Sequence, residues 1–300
     1  MIKIAYSPIY KYQLPEGHRF PMAKYELLPE QLLYEGTVTE EQFFPPERLS
    51  EEVLLWTHTK AYWQKLQEQK LNRKEERAIG FPMRLDLIER GRYISQGTIQ
   101  CAQYARRNGV ALNIAGGTHH AFADRGEGFC VFNDFAIAAN YLLKRKEAER
   151  ILIVDLDVHQ GNGTASIFKD EPRVFTFSMH GERNYPLRKE HSDLDIGLPD
   201  KTGGEVYLQK LEAILPLLLK QHQPDMVFYL AGVDVLATDR LGRLSLSVQA
   251  CKQRDQYVFE TCRAFKLPVA VSMGGGYSQR IAHIIEAHAN TYRAASDVFG

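Results

Sequence analysis

In the segment DLDVHQGNG, Asp155, Asp157 and His159 stand two residues apart at each step. On an extended chain that spacing puts all three side chains on one face. A carboxylate and an imidazole together are ligand types that zinc takes, and Asp157 with His159 supplies both. Asp239, in the turn Thr238-Asp239-Arg240, can be the third ligand, leaving the fourth position open as a catalytic zinc requires. The bland alternative makes the acids turn formers at a strand end and His159 a solvated loop residue. Further polar clusters weigh against it. His119 and His120 follow Gly116-Gly117-Thr118, and both can reach a common site only if the chain turns there, which the glycines permit. Facing a metal, such a pair gives a general base and a general acid. Asp155, not needed by the metal, can orient and charge-stabilise His119. The Tyr277 hydroxyl, in GGGYS, can hydrogen-bond the oxyanion of an attacked carbonyl. Phe129 in GEGFCVFND and Tyr185 in ERNYP can wall an apolar tunnel, with ordinary core packing as the alternative for each.

These clusters meet only if the chain between them folds so that their loops converge. Each begins where an apolar run ends: ALNIA before GGTHHAF, ILIV before DLDVHQGNG, VFTF before SMHGERNYP, MVFYL before AGVDVLATDRLG, and VAVS before MGGGYS. The runs Ile2 to Tyr6, Ala111 to Ala115, Ile151 to Leu156, Val174 to Phe177, Met226 to Leu230 and Val269 to Ser272 read as buried parallel strands. Helical periodicity fills Phe135 to Arg145, Val206 to Gln221 and Gln249 to Phe265. The chain is thus predicted to be α/β, a single domain over 1–300 with an open, mainly parallel sheet flanked by helices on both faces. The polar stretch 59–92 reads as surface helices around a Gly80-Phe81-Pro82 turn. In such a sheet ligands bind beyond the carboxyl ends of the strands, so the five loops share one site.

Composition narrows the rest. Lys plus Arg and Asp plus Glu are 37 each, so no global field draws the chain to nucleic acid or an anionic membrane. No apolar window approaches the roughly 18 residues of a membrane span, and MIKIAYSPIYKY lacks the apolar core of a secretory signal. Cys101, Cys130, Cys251 and Cys262 show no CxxC spacing and read as small buried hydrophobes, with a reducing cytoplasm as the expected location. No GKS or GxGxxG accompanies the glycine triplet to suggest a nucleotide.

The motifs GGTHHA, GFCVFND, VDLDVHQGNG, TFSMH, AGVDVLATDRLG and GGGYS, in this order, resemble the zinc-dependent histone deacetylase family, whose fold is shared with arginases. EGHRFPMAKY and QGNG look like its class IV branch and bacterial relatives. The resemblance implies zinc on Asp157, His159 and Asp239, catalysis by His119, His120 and Tyr277, and a lysine tunnel at Gly128 and Phe129, with Tyr185 as its second aromatic. It also implies a monovalent cation, usually potassium, on the side chains of Asp155 and Ser178 and main-chain oxygens of Asp157, His159 and Met179. Many members read HGDG where this chain reads QGNG, so Asn162 stands behind His120 without a negative charge and that imidazole should be less basic. The implied reaction is hydrolysis of an acylated lysine, by a deacetylase or a longer-chain deacylase. The rivals are an acetylpolyamine or other small-amine amidohydrolase on the same fold and a catalytically dead acyl-lysine-binding module. A two-manganese ureohydrolase needs additional Asp and His ligands for a second ion, and this chain has no second such cluster to supply them.

Overall fold

The computed structural model describes residues 1–300. Eight strands, β1 (Lys3–Ala5), β2 (Phe43–Phe44), β3 (Val110–Asn113), β4 (Ile151–Asp155), β5 (Val174–Gly181), β6 (Leu194–Leu198), β7 (Met226–Gly232) and β8 (Val269–Gly274), form one sheet. Its order is β2-β1-β3-β8-β7-β4-β5-β6, and every pairing is parallel. β3, β4, β7 and β8 are buried at every residue, as an unbroken apolar run covered on both faces must be. All six predicted strands are present. The two unpredicted ones sit at the sheet edges: β2 is two residues long, and β6 alternates half-buried and exposed positions, so neither carries a continuous apolar signal.

Helices cover the two faces. Leu85–Asn108 packs on β1, β3 and β8 with Asp134–Lys144 beside it, while Lys24–Tyr34, Ile281–Phe299, Val248–Ala264 and Gly204–His222 pack in series. The polar stretch 59–92 does contain two short surface helices, Lys60–Gln67 and Arg73–Ile79, the second closed by Gly80 in the left-handed region at φ +79. Its last eight residues differ from expectation: they open Leu85–Asn108, a helix with a buried face. Two of its arginines are buried because the backbone receives them, Arg90 Nε donating to the Tyr10 carbonyl at 2.6 Å and Arg92 Nε to that of Leu49 at 2.8 Å. Nearly all the buried apolar side chains form one cluster from Ile2 to Val298. All four cysteines are free and buried, and burial pushes each thiol pKa upward. No helix is long and apolar enough to cross a membrane.

Candidate metal centre and active site

Because every strand runs the same way, the loops after β3, β4, β5, β7 and β8 leave the same edge of the sheet. After β3 the chain turns at Gly116 (φ +95) and Gly117 (φ +66), and His119 and His120 then lie with ring centroids 4.1 Å apart. Two side chains from the Asn133-Asp134 pair pin the flanks of this turn. Asp134 accepts from the Thr118 amide (2.8 Å) and hydroxyl (2.7 Å), and Asn133 Nδ2 donates to the Ala121 carbonyl (3.1 Å). Each histidine has its own backing. His119 Nδ1 is 2.6 Å from Asp155 Oδ2, and His120 Nδ1 is 2.6 Å from Asn162 Oδ1. An amide oxygen only accepts, so His120 carries its hydrogen on Nδ1 and leaves the Nε2 lone pair free. Burial favours the neutral form of both rings. In His120 it prevails, joined by the neighbouring His119 and His159, and the pKa is lowered; in His119 the Asp155 carboxylate outweighs it and the pKa is raised.

The structure converges one group suited to a metal, Asp157, His159 and Asp234, whose ligand atoms lie within 4.8 Å of one another. All three residues are buried. His159 Nδ1 is 2.9 Å from Asp157 Oδ1 and 3.1 Å from Asp234 Oδ2, and that Asp234 oxygen makes no hydrogen bond of good geometry. Burial opposes charge on the His159 ring, yet the two carboxylates push its pKa up to about 10. A site that electronegative, offering one nitrogen and two carboxylates with an orphaned buried oxygen, fits zinc. Glycines leave the room: Gly275, at φ +55, would drive a Cβ into the Asp234 carboxylate.

Asp239, expected as the third ligand, is not in this group. Its Oδ1 accepts from the amides of Leu241 (2.8 Å) and Gly242 (2.9 Å) and its Oδ2 from that of Tyr277 (2.6 Å), so both oxygens are held by backbone. Asp234 takes its place, and a positional signal was available. Asp157 lies two residues beyond the end of β4, and Asp234 lies two beyond the end of its neighbour β7. Asp239 instead fixes the backbone of Tyr277, whose side chain faces the same pocket. Beneath the centre, fully buried Arg254 donates to the carbonyls of Leu156 (3.2 Å) and Gly232 (2.6 Å), immediately before Asp157 and two residues before Asp234. Its partner is Asp255 at 2.8 Å. Arg254 and Asp134 lie in helices and not at strand ends, so neither carries a positional signal in the sequence. Asp155 and Ser178 are register partners across β4 and β5, but Asp155 is engaged by His119 and the Asp157 amide, and Ser178 by His180; potassium gains no support from this geometry.

Two chambers meet at the metal group. A small inner one, of about 40 Å³, includes Lys24, Arg90 and Thr118 in its lining. The outer one, about 470 Å³, opens to solvent past Tyr185. His120, His159, Gly128, Phe129 and Tyr277 line both and so form the neck between them. Gly128 must be glycine there: its φ is +52, and a Cβ would come 2.6 Å from His120 Cδ2. Phe129 and Tyr185 both line the outer chamber; the Tyr185 ring stands edge-on to His120, centroids 4.9 Å apart, and its hydroxyl donates to Glu127 Oε2 at 2.7 Å.

Fold and site together define an α/β protein with a buried Asp-His-Asp group and a tandem histidine pair at the carboxyl edge of a parallel sheet. Residues 18–292 match the histone deacetylase domain, and the chain belongs to the histone deacetylase family. It is 46% identical over 296 residues to an uncharacterized protein of Picosynechococcus sp., covering 99% of each. It is 30% identical to histone deacetylase 2 of Arabidopsis thaliana, over 95% of this chain and 76% of that protein. A crystal structure of an HDAC homologue complexed with SAHA superposes with a TM-score of 0.86 at 26% identity, over 99% of this chain and 84% of that one. A crystal structure of an HDAC homologue from Aquifex aeolicus gives 0.85 at 25% identity over the same shares.

Proposed function

We propose that the protein hydrolyses the amide of an acylated lysine, with zinc held by Asp157, His159 and Asp234. The observation that carries this reading is the neck: the metal group, His120 and Tyr277 stand where the outer chamber meets a small inner one. An extended lysine chain in the outer chamber, between Phe129 and Tyr185, would put its amide at that neck and the acyl group inside. When bound, zinc supplies Lewis acidity, polarising a carbonyl and lowering the pKa of water.

The chain's own groups do the rest. His120 Nε2, left bare by the Asn162 contact, takes a proton from the water that attacks the carbonyl carbon. The Tyr277 hydroxyl, its pKa raised by burial and by the nearby Asp234 and Asp157, stays protonated and donates to the developing oxyanion. His119, held by Asp155, and His120 return a proton to the leaving nitrogen as the C–N bond breaks, giving a free amine and a carboxylic acid. The chamber that receives the acyl group is too small for a fatty tail, which favours acetyl-sized groups. The acid released there becomes an anion beside Lys24 and Arg90, neither of which pairs with a carboxylate.

The polyamine reading is disfavoured by the entrance, where the charged side chains are arginines and would repel a polycation. The dead-module reading is disfavoured because the histidine pair and the tyrosine are all in place. A panel of lysine peptides carrying acetyl through long fatty acyl groups, assayed with zinc and with chelator, tests the proposal. Expected is zinc-dependent hydrolysis, fastest for acetyl. No hydrolysis of any member after zinc reconstitution overturns it.

A further inference from the structure

The chain is electrically neutral overall, with 37 residues of each sign, yet the walls of the outer chamber are not. Its lining contains Arg19, Arg77, Arg183 and Arg243 and no aspartate or glutamate. Thirteen residues drawn evenly from this composition would include about one or two of each sign. The four arginines come from four separate segments: the loop before Lys24–Tyr34, the helix Arg73–Ile79, the loop after β5 and the loop after β7. Convergence of like charge from unrelated segments costs mutual repulsion, and it makes a field at the mouth that no stretch of sequence shows.

Few of these arginines are paired directly. Arg19 lies over the Phe129 ring, 4.9 Å to its centroid, and neither it nor Arg77 has a carboxylate partner. Arg183 reaches Glu182 only at 3.8 Å, with both side chains well exposed. Arg243 alone has a close partner, Asp200 at 3.0 Å. Its loop is latched in place: the Arg243 amide donates to Asn184 Oδ1 (3.2 Å), and Asn184 Nδ2 donates to the Leu241 carbonyl (2.8 Å). Glu127, outside the lining but bonded to its Tyr185, is already held by that hydroxyl and by Arg125 Nε at 2.8 Å.

We propose that the entrance selects acylated lysines set in an acidic peptide segment, the arginines reading carboxylates that flank the lysine. This rests on the amide-hydrolysing reading of the site and names its substrate class. Arginine suits the task, because its planar fork matches a carboxylate bidentately and stays charged at every physiological pH. Each contact is solvent-exposed, so each changes affinity about two- to five-fold, and the effect is screened by salt.

The test compares kcat/KM for acetyl-lysine peptides whose neighbours at both sides are Glu, Gln or Lys, at low and high ionic strength. Nα,Nε-diacetyl-lysine, whose single charge is its carboxylate, is included as a small anionic amide. For the zinc-loaded wild type, the Glu peptide should exceed the Gln peptide several-fold and the Lys peptide about ten-fold or more at low salt, with the ratios collapsing toward one at high salt. The double variant Arg19→Glu/Arg77→Glu should reverse the order. A Lys peptide used as well as the Glu peptide, or an order untouched by the double variant, overturns the inference while leaving amide hydrolysis standing. Turnover of diacetyl-lysine with none of any peptide also overturns it, since the anionic substrate is then a small molecule. Hydrolysis of no substrate at all overturns the underlying function instead.

Discussion

At the floor of the pocket Asp155, Asp157 and Asp234 are buried, and backbone amides or imidazoles hold them: the Asp157 amide on Asp155, the His159 amide on Asp157, the Val158 amide on Asp234. At its mouth four arginines are exposed, two with no acid beside them. The contrast separates two jobs. Groups fixed in a dry interior act on charge that develops during the reaction, where their orientation is already set. Exposed, flexible charges act through water on the encounter with the substrate, and salt weakens them. Damage to the floor should therefore appear in kcat, and damage to the mouth in KM and its salt dependence.

The largest effect expected is at His120. His120→Ala should lower kcat on an acetyl-lysine peptide by roughly 10²–10⁴-fold, the usual worth of a general base, while zinc content stays near stoichiometric. Near-normal turnover would remove His120 from the chemistry.

Acid should reach the floor and spare the mouth, since arginine does not titrate. His58 is buried, its Nε2 accepts from the Asn133 amide at 3.1 Å, and Asn133 in turn pins the histidine turn. Burial lowers its pKa to about 4, below the unfolded value near 6.5. Between those values the unfolded chain takes up a proton that the native one refuses, so stability holds above about pH 6.5 and falls as the pH drops toward 4. The loss amounts to about 3 kcal/mol, a factor of a few hundred in the folding equilibrium, roughly 1.4 kcal/mol for each tenfold. Denaturant melts of the wild type and His58→Gln across this window check it; equal slopes would contradict it.

Asp239 gives an intermediate case, a half-buried residue outside the metal group whose carboxylate holds a loop. Asp239→Ala should lower kcat about 10–100-fold by freeing the Tyr277 backbone, with zinc stoichiometry unchanged. Loss of zinc in that variant would return Asp239 to the ligand set. The smallest effect is at the mouth: for an acidic peptide, raising the salt from about 0.05 to 0.5 M should raise KM several-fold and leave kcat alone, because the Debye length falls well below the width of a pocket mouth. A change in kcat of similar size would mean that floor and mouth are not separable.

The same division decided what the sequence could show. Buried strands announce themselves as apolar runs, and the floor's residues follow those runs directly, so Asp157, His159, the histidine pair, Asn162 and Tyr277 could be read off the chain. The third acid went to Asp239 because VDVLATD offers two aspartates, and choosing between them requires knowing that β7 ends at Gly232 beside β4. The edge strand β6 was hidden by its half-polar alternation. Arg19, Arg77, Arg183 and Arg243 carry no signal in sequence at all: each is an ordinary exposed arginine, and only the fold gathers them. Arg254 likewise looks like a surface residue of a helix until its carbonyl partners beneath the floor are seen.

The most direct test of the floor's role is the release of acetate from an acetyl-lysine peptide by zinc-reconstituted wild type and Asp234→Asn, measured side by side. The account predicts steady turnover by the wild type and a loss of at least a thousand-fold in the variant, as expected when a ligand to the reacting centre is removed. Equal turnover by the two proteins, or none by the wild type, would contradict it.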